Sequence, residues 1–263
     1  MSDLDNLRKD LRNFQRPGKA KLLQRFFKTG KGEYGEGDIF LGLMTDKTRS
    51  IAKKYLSLDF SFISQLLASK IHEERVVAVI ILTSRFRKAD LVGKKEIYDF
   101  YFENISGINN WDLVDSSAPL IVGGYLYLSK ESRDILYKMA RSNSLWKKRI
   151  GIMATFYFVQ EKDFSDALKI AEILVNDKED LIQKAVGWML REIGNRDQKI
   201  EEDFLKKYFK TMPRTMLRYA IEKFPEEKRK SYLNGKSLRF TMASFKSKIR
   251  EMKHFLRILP FLF

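Results

Sequence analysis

Apolar residues recur at three- and four-residue intervals from residue 4 to about 232, in groups such as Phe60, Ile63, Leu66, Leu67 and Ile71, or Val76, Val79, Ile80 and Phe86. That spacing lays apolar side chains along one face of an α-helix, whereas the alternation by two that a strand needs is scarce. Polar breaks at 57–59, 88–90, 109–110, 142–144, 162–163, 176–177 and 194–195 cut the pattern into short helices. Pro17, Pro119, Pro213 and Pro225 stand at or near helix starts or breaks. The breaks pair the helices into units of roughly 35–45 residues, a period found in solenoids whose helix pairs bury their apolar faces only by stacking on one another. About six such units fit. The expected fold is therefore an all-α helical-repeat solenoid, with an irregular helical bundle as the alternative. A small rotation per repeat would give it a concave surface, and lining that surface with Lys and Arg would fit it to a duplex.

Composition narrows the chemistry. The 263 residues include no cysteine, which excludes a disulfide scaffold, a thiolate metal site and a thiol nucleophile. Histidine occurs at 72 and 254 alone, too sparse for a histidine-rich metal centre or a Ser-His-Asp triad. No metal and no cofactor is expected, and any chemistry falls to carboxylates and aromatics. Against 34 acidic residues stand 50 Lys and Arg, a net charge of +16, which points to a polyanion and first to nucleic acid. The amino end lacks the apolar run of a signal peptide, and no window approaches the ~20 apolar residues of a membrane span. A soluble, cytoplasmic protein without membrane contact is expected.

Five segments carry the residues of interest. In the first, Asn110 reads as a helix cap, which puts Trp111 and Asp115 on one face four residues apart, an aromatic plate beside a carboxylate. Asp112 points elsewhere and reads as complementing the helix dipole. In the second, Ser144 caps a helix whose first turn carries Lys147, Lys148 and Arg149. Cations there oppose the dipole by roughly 0.3–1 kcal/mol each when exposed, a mismatch that a phosphate would relieve and that a solvated turn would tolerate. In the third, Lys184, Ala185, Gly187 and Trp188 share a helix whose small residues admit close approach; a lone Trp in such a helix commonly belongs to the core. Thr45 reads as a cap ahead of Lys47 and Arg49, and Pro213 and Arg214 open another helix. Three cationic helix starts, many repeats apart, suggest a surface that tracks phosphates.

Taken together, NWDLVDSSAP, SLWKKRIGIMATF, LIQKAVGWMLREIG and MPRTMLRYAIEKF resemble the DNA alkylation repair family of HEAT-like-repeat alkylpurine DNA glycosylases, and GEYGEGDIFLGLMTDKTR resembles its amino-terminal signature. The likeness spans most of residues 10–235. It implies a HEAT/ARM-like solenoid whose concave basic face holds double-stranded DNA and releases cationic N3- or N7-alkylated purines, 3-methyladenine and 7-methylguanine. Carried over by motif position, the catalytic carboxylate falls on Asp115, the cleft tryptophans on Trp111 and Trp188, and the phosphate-gripping arginine on Arg149. Lys147, Lys148, Thr45, Lys47, Arg49, Lys184 and Arg214 complete the expected DNA-binding set. Phe26 or Phe27 stands where some relatives carry a tyrosine near the cleft. The family is also thought to leave the lesion stacked, contacting its backbone, where base-modifying enzymes generally flip their target.

Residues 1–235 are thus expected to form a single domain acting as a monomer, with 236–263 a basic extension of unknown role that reads as partly helical. An N3- or N7-alkylated purine is cationic and leaves as a neutral base, so the enzyme's task is to stabilise charge developing on the sugar, which a carboxylate can do. Two rivals share the same features: a non-catalytic binder of bent, branched or damaged DNA, and a helical scaffold for which the charge is incidental.

Overall fold

The structure, a computed structural model, describes residues 2–235; the expected basic extension at 236–263 lies outside the described residues. Helices α1 (Asp3–Asn13) and α2 (Pro17–Phe26) are followed, after an irregular segment at 27–44, by α3 (Thr45–Lys54), α4 (Phe60–Leu67) and α5 (His72–Lys88). Next come α6 (Leu91–Glu103), α7 (Trp111–Ala118), α8 (Gly124–Ser129), α9 (Asp134–Ala140) and α10 (Leu145–Gln160). The described chain closes with α11 (Ser165–Ile173), α12 (Asp180–Gly194), α13 (Gln198–Tyr208), α14 (Arg214–Ala220) and α15 (Glu226–Leu233). Strand pairing among the described residues is confined to one bridge between Ile39 and Ile71.

The helices stack in two rows. α3, α5, α7, α10, α12 and α14 each pack on the next, and α4, α6, α9, α11 and α13 lean against this row from the other side. Burial explains which helices occupy the first row. In α10, every residue from Arg149 to Thr155 is buried, as are Phe158 and Val159, and α5 buries Val77, Ala78, Val79, Ile81, Leu82 and Phe86. The inner stretches 76–82 of α5 and 150–154 of α10 are apolar all round and must be covered on all sides. Each fully buried Leu, Ile or Phe contributes about 1.5–3 kcal/mol, so this row is where the solenoid is held together.

Local signals set the ends. Ser2 and Asp5 form a reciprocal capping box on α1, Asp90 caps α6, and Asp197 caps α13. Pro17 is the first residue of α2, while Pro213 and Pro225 precede α14 and α15. Pro119 behaves differently: it opens a π-helical turn, Pro119–Gly123, through which α7 runs on into α8. Gly123 is required in that turn, because a Cβ there would stand within 2.0 Å of the Ala154 carbonyl oxygen of α10. Two sequence expectations need correction. The helical pattern is interrupted at 27–44, and the cap of α3 is Met44, which offers no side-chain bond, with Thr45 already the first helical residue.

Candidate active site

The amino end of α7 is built by its neighbours. The Asn110 side-chain oxygen accepts from the Trp111 N–H at 2.8 Å, while its amide donates to Asp38 Oδ2 at 3.1 Å. Phe27 stacks on the Trp111 indole, 5.2 Å between centroids and 8° from parallel, and Phe26 meets it edge-on at 6.0 Å. One turn on, Asp115 receives both Nε and Nη2 of Arg149, at 2.8 and 2.7 Å. Arg149 Nη1 donates to the Leu181 carbonyl at the start of α12, so this guanidinium ties three helices of one row together. Three of its five N–H donors are engaged, which leaves two. Burial pushes the Asp115 carboxyl above the ordinary aspartate value; Arg149 opposes that push, and the charge of Asp112 adds to it.

These groups face a cleft of about 510 Å³. α7 supplies Trp111 and Asp115, α10 supplies Arg149, α12 supplies Asp180, Lys184, Trp188 and Arg191, and α14 supplies Tyr219. The near wall is Phe26, Lys28 and Tyr34, from the end of α2 and the irregular segment. Trp188 is steadied by a bond from its indole N–H to Glu192 at 3.2 Å and by the Phe156 ring at 5.9 Å. Most cations here already have partners: Lys184 pairs with Asp180 at 2.7 Å and Arg191 with Glu222. Lys28 forms no ion pair among the described residues; its amine lies 6.0 Å from the Tyr34 ring. Burial raises the Tyr34 phenol above its usual range, against hydrogen bonding with Trp111.

The expected site residues therefore divide. Trp111, Asp115, Arg149, Lys184 and Trp188, spread over more than seventy residues of sequence, line one cleft. Thr45, Lys47 and Arg49 at the start of α3, Lys147 at the start of α10 and Arg214 at the start of α14 are exposed and outside it. Arg214 donates to the Leu233 carbonyl at 2.7 Å, and Lys47 rests 5.4 Å from the Phe14 ring. Lys148 is mostly buried in a pair with Asp177 at 2.6 Å, so its charge is already neutralised inside the protein. Gly187, read as admitting a close neighbour, admits α14. Asp112 accepts from the Leu113 N–H, as a first-turn acid can, and also meets His72 at 2.8 Å.

Sequence reasoning missed Lys28, Tyr34, Asp180, Arg191 and Tyr219. Tyr34 had one signal, its place between glycines, of which Gly32 and Gly37 adopt positive φ and let the segment fold back over the cleft.

Two stacked rows of short helices around an aromatic-walled acid define a helical-repeat protein with one candidate reaction centre. Residues 7–224 match the family model described as DNA alkylation repair enzyme, and the chain belongs to that family. A predicted DNA alkylation repair enzyme from Enterococcus faecalis shares the fold with a TM-score of 0.63 and 15% identity, over 81% of this chain and 97% of that one. AlkD2 from Streptococcus mutans superposes with a TM-score of 0.50 and 19% identity, over 80% and 99% of the two chains. Among curated proteins no significant sequence match was found. Family membership assigns the protein a role in repairing alkylation damage to DNA. No helix among the described residues is long and apolar enough to cross a membrane.

Proposed function

We propose that the protein is a DNA glycosylase that hydrolyses the N-glycosidic bond of cationic N3- or N7-alkylated purines in duplex DNA. The observation that carries this reading is the meeting of Trp111, Asp115, Arg149 and Trp188, from three helices, around one cleft. The C1′–N bond breaks with its electrons going to the purine, which departs neutral. Positive charge is left on the sugar, and a water oxygen bonds to C1′ as its proton passes to Asp115 or to solvent. Each Asp115 oxygen accepts one bond from Arg149 and keeps a lone pair for that water. Arg149 holds the carboxylate in place, and its two remaining N–H groups can meet a phosphate. The indole faces of Trp111 and Trp188 attract cations by about 0.5–2 kcal/mol, which favours charged lesions over neutral bases.

A non-catalytic binder of damaged DNA is the second reading, and one observation favours it: an acid held bidentately by a buried arginine can be a structural brace. Free base separates the two. The protein incubated with N-methylated duplex is expected to release 7-methylguanine or 3-methyladenine, and Asp115→Asn to lower the rate by about 100- to 1000-fold, as removal of a charge-stabilising group does. Duplex affinity should persist in that variant. Undiminished release by Asp115→Asn would remove Asp115 from the chemistry, and no release by the parent protein would overturn the glycosylase reading.

A further inference from the structure

Behind the cleft lies a buried polar cluster that the proposed chemistry does not use. His72 opens α5 and is 2% exposed, and the Glu73, Glu74 and Arg75 that follow are buried with it. Its backbone N–H donates to the Ile39 carbonyl at 2.8 Å. Nε2 lies 2.8 Å from Asp112 Oδ2 on α7, and Nδ1 lies 3.3 Å from Asp38 Oδ2 in the irregular segment. Asp38 also pairs with Arg75 at 2.5 Å and accepts from the Asn110 amide that caps α7. The imidazole stacks against Phe40 at 4.5 Å and Phe27 at 5.0 Å, and Phe27 is the ring that backs Trp111.

We propose that His72 is a positioning residue of the cleft, a clamp that joins the 27–44 segment to α7 and so fixes Trp111 and, one turn on, Asp115. Two carboxylates from separate segments, Asp38 buried and Asp112 26% exposed, repel unless donors stand between them. An imidazolium offers two N–H groups pointing apart, one for Asp38 and one for Asp112. The charged groups facing the ring are Asp38 from the segment, Asp112 from α7 and Arg75 on its own helix; Asn110 is neutral. Burial works against charging the ring, but the bonds to Asp112 and Asp38 outweigh it, and His72 keeps its proton above the usual histidine range. On deprotonation Nδ1 becomes an acceptor for Arg75, 3.2 Å away, while Nε2–H keeps Asp112. The link to Asp38 is the one released. By linkage, stability from this group is full below the unfolded histidine value and is lost as pH rises through the folded one.

The test uses the sparseness of the sequence: two histidines and three tryptophans give few signals. Ring-labelled histidine and indole N–H resonances of the full chain are followed by NMR against pH, with His254→Asn and Trp111→Phe as assignment controls. The Trp111 signal is expected to move with the inflection of His72, above the usual histidine value, and to lose that inflection in His72→Leu. His72→Gln, which retains a donor toward Asp112 but does not titrate, should also lose the inflection while keeping the Trp111 resonance nearer its parental position than Leu does, and it serves if Leu is not tolerated. A kinetic arm rests on the glycosylase reading. Single-turnover excision should fall about tenfold or more in His72→Leu and less in His72→Gln, as small misplacement of reacting groups does, with duplex Kd within about twofold. A Trp111 signal indifferent to His72 titration and to both substitutions overturns the clamp whether or not base is released. Coupled signals with no excision by the parent overturn the glycosylase reading and leave the clamp standing.

Discussion

Asp115 and Arg149 show how one pair can serve both stability and chemistry. The guanidinium side chain is 6% exposed and the carboxylate 18%, so either group left alone would be a charge with little water. Arg149→Met is expected to destabilise the fold by about 3–5 kcal/mol, the usual penalty for orphaning a buried partner, and Asp115→Asn combined with it to recover much of that loss. Denaturant midpoints of the single and double variants check this. Because the Asp115 carboxyl titrates above the ordinary aspartate value and must be ionised to act, the acid limb of excision should also lie above that value.

Glu201 is the opposite case. It is 2% exposed, Oε1 has no partner, and burial together with the charge of Glu202 pushes its carboxyl up to about 8. Folding therefore strengthens proton binding, and stability declines as pH rises from the unfolded value near 4.5 toward 8, by up to about 1.4 kcal/mol per unit. Glu201→Gln should match the parent near the lower limit and exceed it increasingly toward the upper one. Urea titrations at several pH values would show two parallel stability curves if Glu201 were not responsible.

Between helices, the deciding quantity is how closely two backbones approach. Ala in place of Gly in an exposed helix gains roughly 1 kcal/mol from propensity. At Gly187 the gain is overruled, since a Cβ would lie 2.5 Å from the Met216 carbonyl oxygen and 2.6 Å from Tyr219 Cβ. Gly187→Ala is expected to cost about 1–3 kcal/mol by forcing α14 off α12, and to disturb the cleft through Tyr219. Gly18 in α2 has open space where a Cβ would go, so Gly18→Ala should be neutral or stabilising. Thermal unfolding of the two variants side by side tests the argument. The irregular segment is joined to the helical stack by Glu73, whose carboxylate accepts from the backbone N–H groups of Leu41, Gly42 and Leu43 at 2.8–3.2 Å. That attachment gives the near wall of the cleft a fixed position without helical structure of its own.

Over the whole molecule, the +16 charge should appear as salt dependence. Some cations are already paired within the protein, among them Lys148, Lys184 and Arg191, whereas the exposed Lys47, Arg49 and Lys147 are among those with no ion pair in the described residues and are available to displace counterions. Duplex affinity should fall steeply between about 50 and 200 mM salt, and each phosphate contact removed from Lys47→Ala or Arg49→Ala should reduce the log–log slope by about 0.9. Trp188→Ala should leave the slope unchanged. Anisotropy titrations at several salt concentrations measure it, and a flat dependence in the parent would favour the scaffold reading.

The residue pattern alone determined that the chain is helical and where several helices begin, because three- and four-residue periodicity, the caps at Asn110 and Ser144 and the break at 88–90 are local facts; the solenoid was an expectation that the stacking of the helices then bore out. The pattern also placed Trp111 and Asp115 on one face, since four residues is one turn. The tertiary structure decided which charges remain free. Lys147 and Lys148 are adjacent in sequence, yet one is exposed and the other is mostly covered in its pair with Asp177, a partner some thirty residues away. It decided, too, that Tyr34 and Tyr219 reach the same cleft and that His72 meets Asp38 and Asp112. Periodicity fixes the face on which a side chain lies, whereas the identity of its neighbour depends on how far one helix turns relative to the next, and that angle is set by packing summed over the whole stack.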